Sequence, residues 1–209
     1  MTPSVRLHRV FARHWPLLAV LLPCLFLATL GDAARLRLRY DRAAILHGET
    51  WRLVTGSFVH LGPGHLAEDM AGLVLLWLLF GEAWPGWRMP LLMLWGSLAV
   101  GIGLLAGDPA LGWYVGISGA LDCLWAAGAL ELIRRRDRFG WLLVGLLLIK
   151  LGYEQTLGPL PFSVADTGGA VIVDAHLYGA LGGALWAFGW ALVERHRIMR
   201  ASRGSGDST

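Results

Sequence analysis

A serine and a histidine, each at the start of an apolar run, are the residues of this chain best suited to chemistry. Gly116-Ile117-Ser118-Gly119 leads into one run, and Ala175-His176-Leu177-Tyr178-Gly179 opens another. Polar side chains are costly in hydrocarbon and mark sites where they pair or act. A serine hydroxyl becomes a useful nucleophile only beside a base that takes its proton. The two residues therefore read as nucleophile and general base of an acyl transfer carried out within a membrane. Ser118 falls in the first turn of its run, where main-chain N–H groups have no intrahelical acceptor. Those donors and the positive helix end suit a developing oxyanion, and Gly116 permits a tight turn just before them. Taken alone, Ser118 also reads as a helix N-cap, and His176 as a structural histidine bonded to a loop carbonyl.

Other polar residues stand near this pair in sequence. Asp122 lies four residues after Ser118, on the same helix face. It reads either as the acid that orients His176 or as a neutral group bonded to backbone or water. His60, His65 and Asp69 form a second constellation, with His65 and Asp69 one helical turn apart. Their spacing is not a standard zinc pattern and HExxH is missing, so polar lining of an oxyanion-stabilising cavity is the preferred reading and no metal is expected. Lys150 and Glu154, also one turn apart, read as a structural ion pair facing the bundle interior. A proton or ion path is the alternative, disfavoured because no further ionisable groups continue from the pair.

These residues need helices to hold them. The chain is 56% hydrophobic and only 16% charged, against about 25% charged in a soluble domain. Mean hydropathy is +0.55. An all-α polytopic membrane bundle follows, as one domain over residues 1–200, with 201–209 a disordered, Ser/Gly-rich cytoplasmic tail. Six spans are predicted at about 15–30, 66–80, 90–106, 118–133, 141–157 and 175–193. The first follows Arg6, Arg9 and Arg13 like a signal peptide, but no clear cleavage site follows it, and a retained span is expected. Arginines flank the N-terminus, the fourth-to-fifth connection (Arg134, Arg135, Arg136, Arg138) and the C-terminus. Both termini are therefore expected in the cytoplasm, with Ser118 and His176 near the outer face. The arginine-rich first connection, Gly31 to Gly64, runs against this balance. It is expected to lie in the interface, with the Arg52 head among headgroups and the Trp51 ring at the boundary. The net charge of +3 fits such flanks, and no basic stripe points to nucleic acid. Cys24 and Cys123 read as packing residues inside apolar runs.

Gly179 and Gly183 follow His176 at the spacing that lets membrane helices approach closely. If the fourth span is the neighbour, the imidazole reaches the hydroxyl. With Trp51-Arg52, His60, His65, Gly116-Ile117-Ser118-Gly119, and Ala175-His176 with Gly179 and Gly183 in this order, the chain resembles the rhomboid family of intramembrane serine proteases over almost its full length. The resemblance implies a six-helix rhomboid-like bundle, Ser118 as nucleophile, His176 as base, His65 helping to hold the oxyanion, and no cofactor. It also implies a Ser-His dyad without a required acid. Asp69 stands where the family usually has Asn, and Asp122 where it often has Tyr. An ionised carboxylate repels an oxyanion, so Asp69 must be protonated, turned away or otherwise employed.

The six-span length, Leu151-Gly152-Tyr153-Glu154-Gln155 and the run Ala175 to Leu181 resemble the rhombosortase branch of Gram-negative bacteria. That likeness implies the inner membrane, an active site near the periplasmic side, and membrane-anchored substrates with a C-terminal Gly-Gly and transmembrane tail. Hydrolysis and sortase-like transfer are both open. Gly158 to Asp174 reads as a flexible lid. The alternatives are a catalytically inactive rhomboid-like protein that binds transmembrane helices, and a small transporter built on Lys150 and Glu154.

Overall fold

The chain opens with a long helix, α1 (Pro3–Thr29), and then bends by 117° into a short one, α2 (Gly31–Leu38). The computed structural model describes residues 3–84, 86–161 and 170–204. After α2 come β1 (Tyr40–Asp41), α3 (Arg42–Leu46), α4 (Arg52–Thr55) and one 3-10 turn, Gly56–Phe58. Then follow α5 (Pro63–Phe80), α6 (Arg88–Gly107), β2 (Trp113–Tyr114), α7 (Ser118–Arg134), α8 (Phe139–Leu157) and α9 (Val173–Gly204). The six long helices occupy the six predicted segments. Pro63 in the first turn of α5 loses no helical bond there.

Among the described residues, α5 and α6 are long and apolar enough to cross a membrane, and α1 with α2 makes a third such unit if counted as one broken span. The outer faces are apolar: Leu78, Leu148, Ile149, Leu185 and Phe188 are all more than 60% exposed. Such a belt, with ionisable groups turned inward, is the arrangement lipid requires.

α7 sits at the centre, packed by α5, α6, α8 and α9, and its residues from Gly119 to Leu124 are all buried. Leu73, Phe80, Leu92, Met93 and Leu124 fill the core between α5, α6 and α7, while Ala126, Leu147, Leu151 and Ala180 join α7 to α8 and α9. α7 and α9 run in the same direction. A Cβ on Gly119 would stand 2.6 Å from the Ala175 carbonyl oxygen, and one on Gly179 would collide with the Gly119 carbonyl. This backbone-to-backbone approach is what the glycine spacing of α9 permits.

The first connection is ordered rather than loose. Tyr40 pairs with Tyr114 and Asp41 with Trp113 in a two-stranded antiparallel ribbon that the sequence reading lacks. Asp41 caps α3 by accepting from the Ala44 N–H at 3.2 Å and pairs with Arg39 at 2.9 Å. Burial opposes its ionisation, but the Ala44 N–H and the Arg39 guanidinium outweigh burial and hold the carboxyl below its usual range. Arg52 corrects its expected place among headgroups. It is buried, pairs with Glu49 at 2.6 Å and donates to the carbonyls of Leu36 and Arg39. A guanidinium has enough fixed donors to bolt α2 to α4 from inside. Trp51 remains half exposed.

At the opposite end of the bundle, Glu131 takes Arg134 and Arg135 at 2.7 Å each, Arg134 reaches Glu194 at 2.8 Å, and Arg88 stacks 3.7 Å from the Trp190 ring centre. α9 continues to Gly204, so residues 201–204, expected to be disordered, are helical; residues 205–209 lie outside the described ones.

Candidate active site

Ser118 is the first residue of α7 and His176 stands in the first turn of α9. The glycine contact between these helices brings His176 Nε2 to 3.0 Å from Ser118 Oγ. That is hydrogen-bond distance for a base and its nucleophile. The residues just before Ser118 form a tight turn: Gly116 has φ +113°, and a Cβ there would lie 2.6 Å from His65 Nε2. Only glycine serves that position without strain.

The second constellation converges on one atom. Asp69 Oδ2 accepts the Ile117 N–H at 3.0 Å, with His65 Nε2 at 3.3 Å and His60 Nε2 at 3.1 Å. The His60 contact lacks hydrogen-bond alignment. Asp69 is thus otherwise employed: it anchors the turn that presents Ser118. Its Oδ2 is turned to a backbone donor at the base of that turn. His65 packs edge-on to His60 and lines the same cavity as Ser118.

The sequence reading missed Tyr114. Its hydroxyl donates to the Gly116 carbonyl at 2.7 Å and lies beside Ser118 and the Gly119 N–H. Burial, then the nearby charge of Asp69, pushes its phenol up, so it stays a neutral donor. The ribbon with Tyr40 holds its strand in place.

Asp122 does not touch the imidazole as an orienting acid. Its Oδ2 lies 2.7 Å from Lys150 Nζ, and the atom facing His176 Nδ1, at 2.9 Å, is Oε2 of Glu154. The reason is geometric. The two imidazole nitrogens point away from each other, so a ring whose Nε2 faces α7 turns Nδ1 elsewhere, here to α8. Lys150 Nζ also holds Glu154 Oε2 at 2.9 Å. The expected Lys150–Glu154 pair is present, but it does not stand alone: ionisable groups continue from it on both sides. Asp122, Glu154 and His176 offer ligand-type atoms within 4.8 Å of one another, as a metal site would. The Lys150 ammonium already contacts both carboxylates as their cation.

A cavity of about 870 Å³ opens onto these residues, lined by Ser118, His176, His65, Asp69, Lys150 and Glu154 among polar groups and by Leu75, Trp113, Trp125 and Leu146 among apolar ones. Part of the loop read as a lid, residues 162–169, lies outside the described ones; Leu160 and Ala170 to Ile172 on either side of it line the cavity. The arrangement can activate a hydroxyl at the wall of a largely apolar cleft.

No curated protein matches this chain. Residues 47–193 match the family described as Rhomboid domain. That match takes in Ser118, His176, Glu154 and the His65–Asp69 pair, and the chain belongs to the rhomboid family, whose members are intramembrane serine proteases.

Proposed function

We propose that this chain is itself an intramembrane serine endopeptidase, with Ser118 as nucleophile and His176 as general base. The observation that carries the reading is the 3.0 Å contact between His176 Nε2 and Ser118 Oγ in the wall of the cavity. His176 takes the Ser118 proton as Oγ bonds to the substrate carbonyl carbon. The oxyanion is met by the Ser118 N–H at the start of α7, with His65 lining its position. As the C–N bond breaks, His176 returns the proton to the leaving amine. Water, deprotonated by the same imidazole, then releases the acyl group. An amine in place of water would give transfer instead.

The substrate is a membrane-anchored protein cut near its C-terminal transmembrane tail. The apolar lining favours a tail helix arriving from lipid, and a Gly-Gly site eases the local unwinding that exposes a peptide bond. The assignment to the rhombosortase branch, and with it to a bacterial inner membrane, rests on the run around Glu154 and His176. Both termini are cytoplasmic and the Ser118 end faces the periplasm, a placement supported by the arginine cluster at the opposite end of the bundle.

Labelling of purified protein in detergent with a fluorophosphonate tests the reading. Wild type is expected to label, and Ser118→Ala and His176→Ala to lose at least about 10³-fold in rate. A wild type that neither labels nor cuts a Gly-Gly tail substrate would point to the helix-binding, catalytically inactive alternative.

A further inference from the structure

We propose that Glu154 is a positioning residue for His176, making a Ser118–His176–Glu154 series held in place by Lys150 and Asp122. This inference rests on the proteolytic reading of Ser118 and His176 and adds a third member to it. Three observations support it. Glu154 is 2% exposed, and its Oε2 lies 2.9 Å from the His176 nitrogen that faces away from Ser118. The same oxygen is fixed by Lys150 at 2.9 Å, and Lys150 by Asp122 at 2.7 Å, so the carboxylate has little freedom to turn. Finally, Gln155 Nε2 donates to the Val173 carbonyl at 3.4 Å and ties the end of α8 to the start of α9.

The acceptor at Nδ1 puts the neutral ring's proton on that nitrogen and leaves Nε2 bare toward Ser118, the only tautomer that can accept the hydroxyl proton. The charges face His176 from two neighbouring helices: Glu154 and Lys150 on α8, and Asp122 on α7. Two carboxylates around one ammonium leave one formal negative charge. When His176 takes the Ser118 proton, the imidazolium brings that buried cluster to neutrality. Among side chains this buried, the balance favours the protonated ring at the moment it is needed. Asp122 and Lys150 act at one remove, by holding Glu154.

The test measures the rate at which a fluorophosphonate labels Ser118 across the neutral pH range, on the full chain in detergent. Wild type is expected to show one ionisation limb, from His176. Glu154→Gln keeps the shape but removes the charge. Its plateau should fall about 10²- to 10⁴-fold and its limb should move to lower pH, because the imidazolium has lost its anion. Glu154→Asp should restore part of the rate. Labelling by Glu154→Gln within about threefold of wild type, on an unmoved limb, overturns the proposal. If Glu154→Gln does not fold, ¹⁵N-imidazole spectra of the wild type decide: a protonated Nδ1 and bare Nε2 on His176 support the series, and the reverse tautomer overturns it. Absence of wild-type labelling would count against the proteolytic reading alone, since the spectra still test the pairing.

Discussion

Asp122, Lys150, Glu154 and His176 form one file of ionisable groups drawn from three helices, each in contact with the next. Lys150, the single lysine of the sequence, is the piece on which the file depends. Removing one partner of a buried charged set leaves the others uncompensated, which costs about 3–5 kcal/mol. Lys150→Met is therefore expected to lower unfolding stability in detergent by that order. Lys150→Met combined with Asp122→Asn should recover at least half of the loss, because Glu154 keeps His176 as a partner. Equal destabilisation of the single and double variants would show that Asp122 gains nothing from Lys150. Asp122→Asn alone still accepts from the ammonium, and its labelling rate should stay within about tenfold of wild type. That separates it from Glu154→Gln, whose carboxylate meets the ring directly.

At the scale of elements, the site depends on how closely α7 and α9 approach. Membrane helices gain little from apolar burial against each other, since lipid is equally apolar, so close packing of small residues carries the association. Gly119 and Gly179 let the two backbones touch, and this sets the imidazole one hydrogen bond from the hydroxyl. A Cβ at Gly179 has no room because the atom in its way is a main-chain carbonyl oxygen, which cannot swing aside. Gly179→Val should destabilise the bundle by about 1–3 kcal/mol or more and abolish fluorophosphonate labelling, although position 179 touches no reacting atom. A variant that melts and labels like wild type would mean that the contact of α7 and α9 is looser than the geometry indicates. The turn before α7 has its own supports, in the Asp69 carboxylate beneath Ile117 and the Tyr114 hydroxyl on Gly116.

For the whole molecule, the two ends of the bundle differ in kind. One end carries Ser118, His176 and the ribbon of β1 and β2. The other carries Glu131, Glu194 and the arginines that pair with them. Under the proposed orientation, alkaline phosphatase fused after Asp108, beside the ribbon, should be active outside the cytoplasm, and the same enzyme fused after Thr209 should be inactive. The reverse pattern would invert the molecule and put the site on the cytoplasmic face. An ordered first connection, bolted by the buried Arg52, explains how five arginines can stand on the side that otherwise lacks them. Three of the five are tied to main-chain carbonyls: Arg35 to that of Leu61 at 2.7 Å, Arg52 to those of Leu36 and Arg39, and Arg42 to that of Leu105 at 2.9 Å.

Local pattern suffices for the long helices, because an apolar run of that length needs no partner to declare itself: the span predicted at Leu66–Phe80 meets α5 at Pro63–Phe80, and the one predicted at Ser118–Ile133 meets α7 at Ser118–Arg134. The glycines of α9 and the Gly-x-Ser-Gly turn likewise pointed to one serine and one histidine on a shared side. What lay beyond the chain's local pattern was the choice among carboxylates. Asp122 shares a face with Ser118, and spacing along one helix favours it. Glu154 comes from a helix running the opposite way, and its distance to Nδ1 depends on how α8 leans on α9 and on which way the ring is turned. The pairing of Tyr40 with Tyr114 and the burial of Arg52 are hidden for the same reason. Periodicity within a helix is written in adjacent residues, whereas contacts between segments far apart in the chain exist only once the helices have packed.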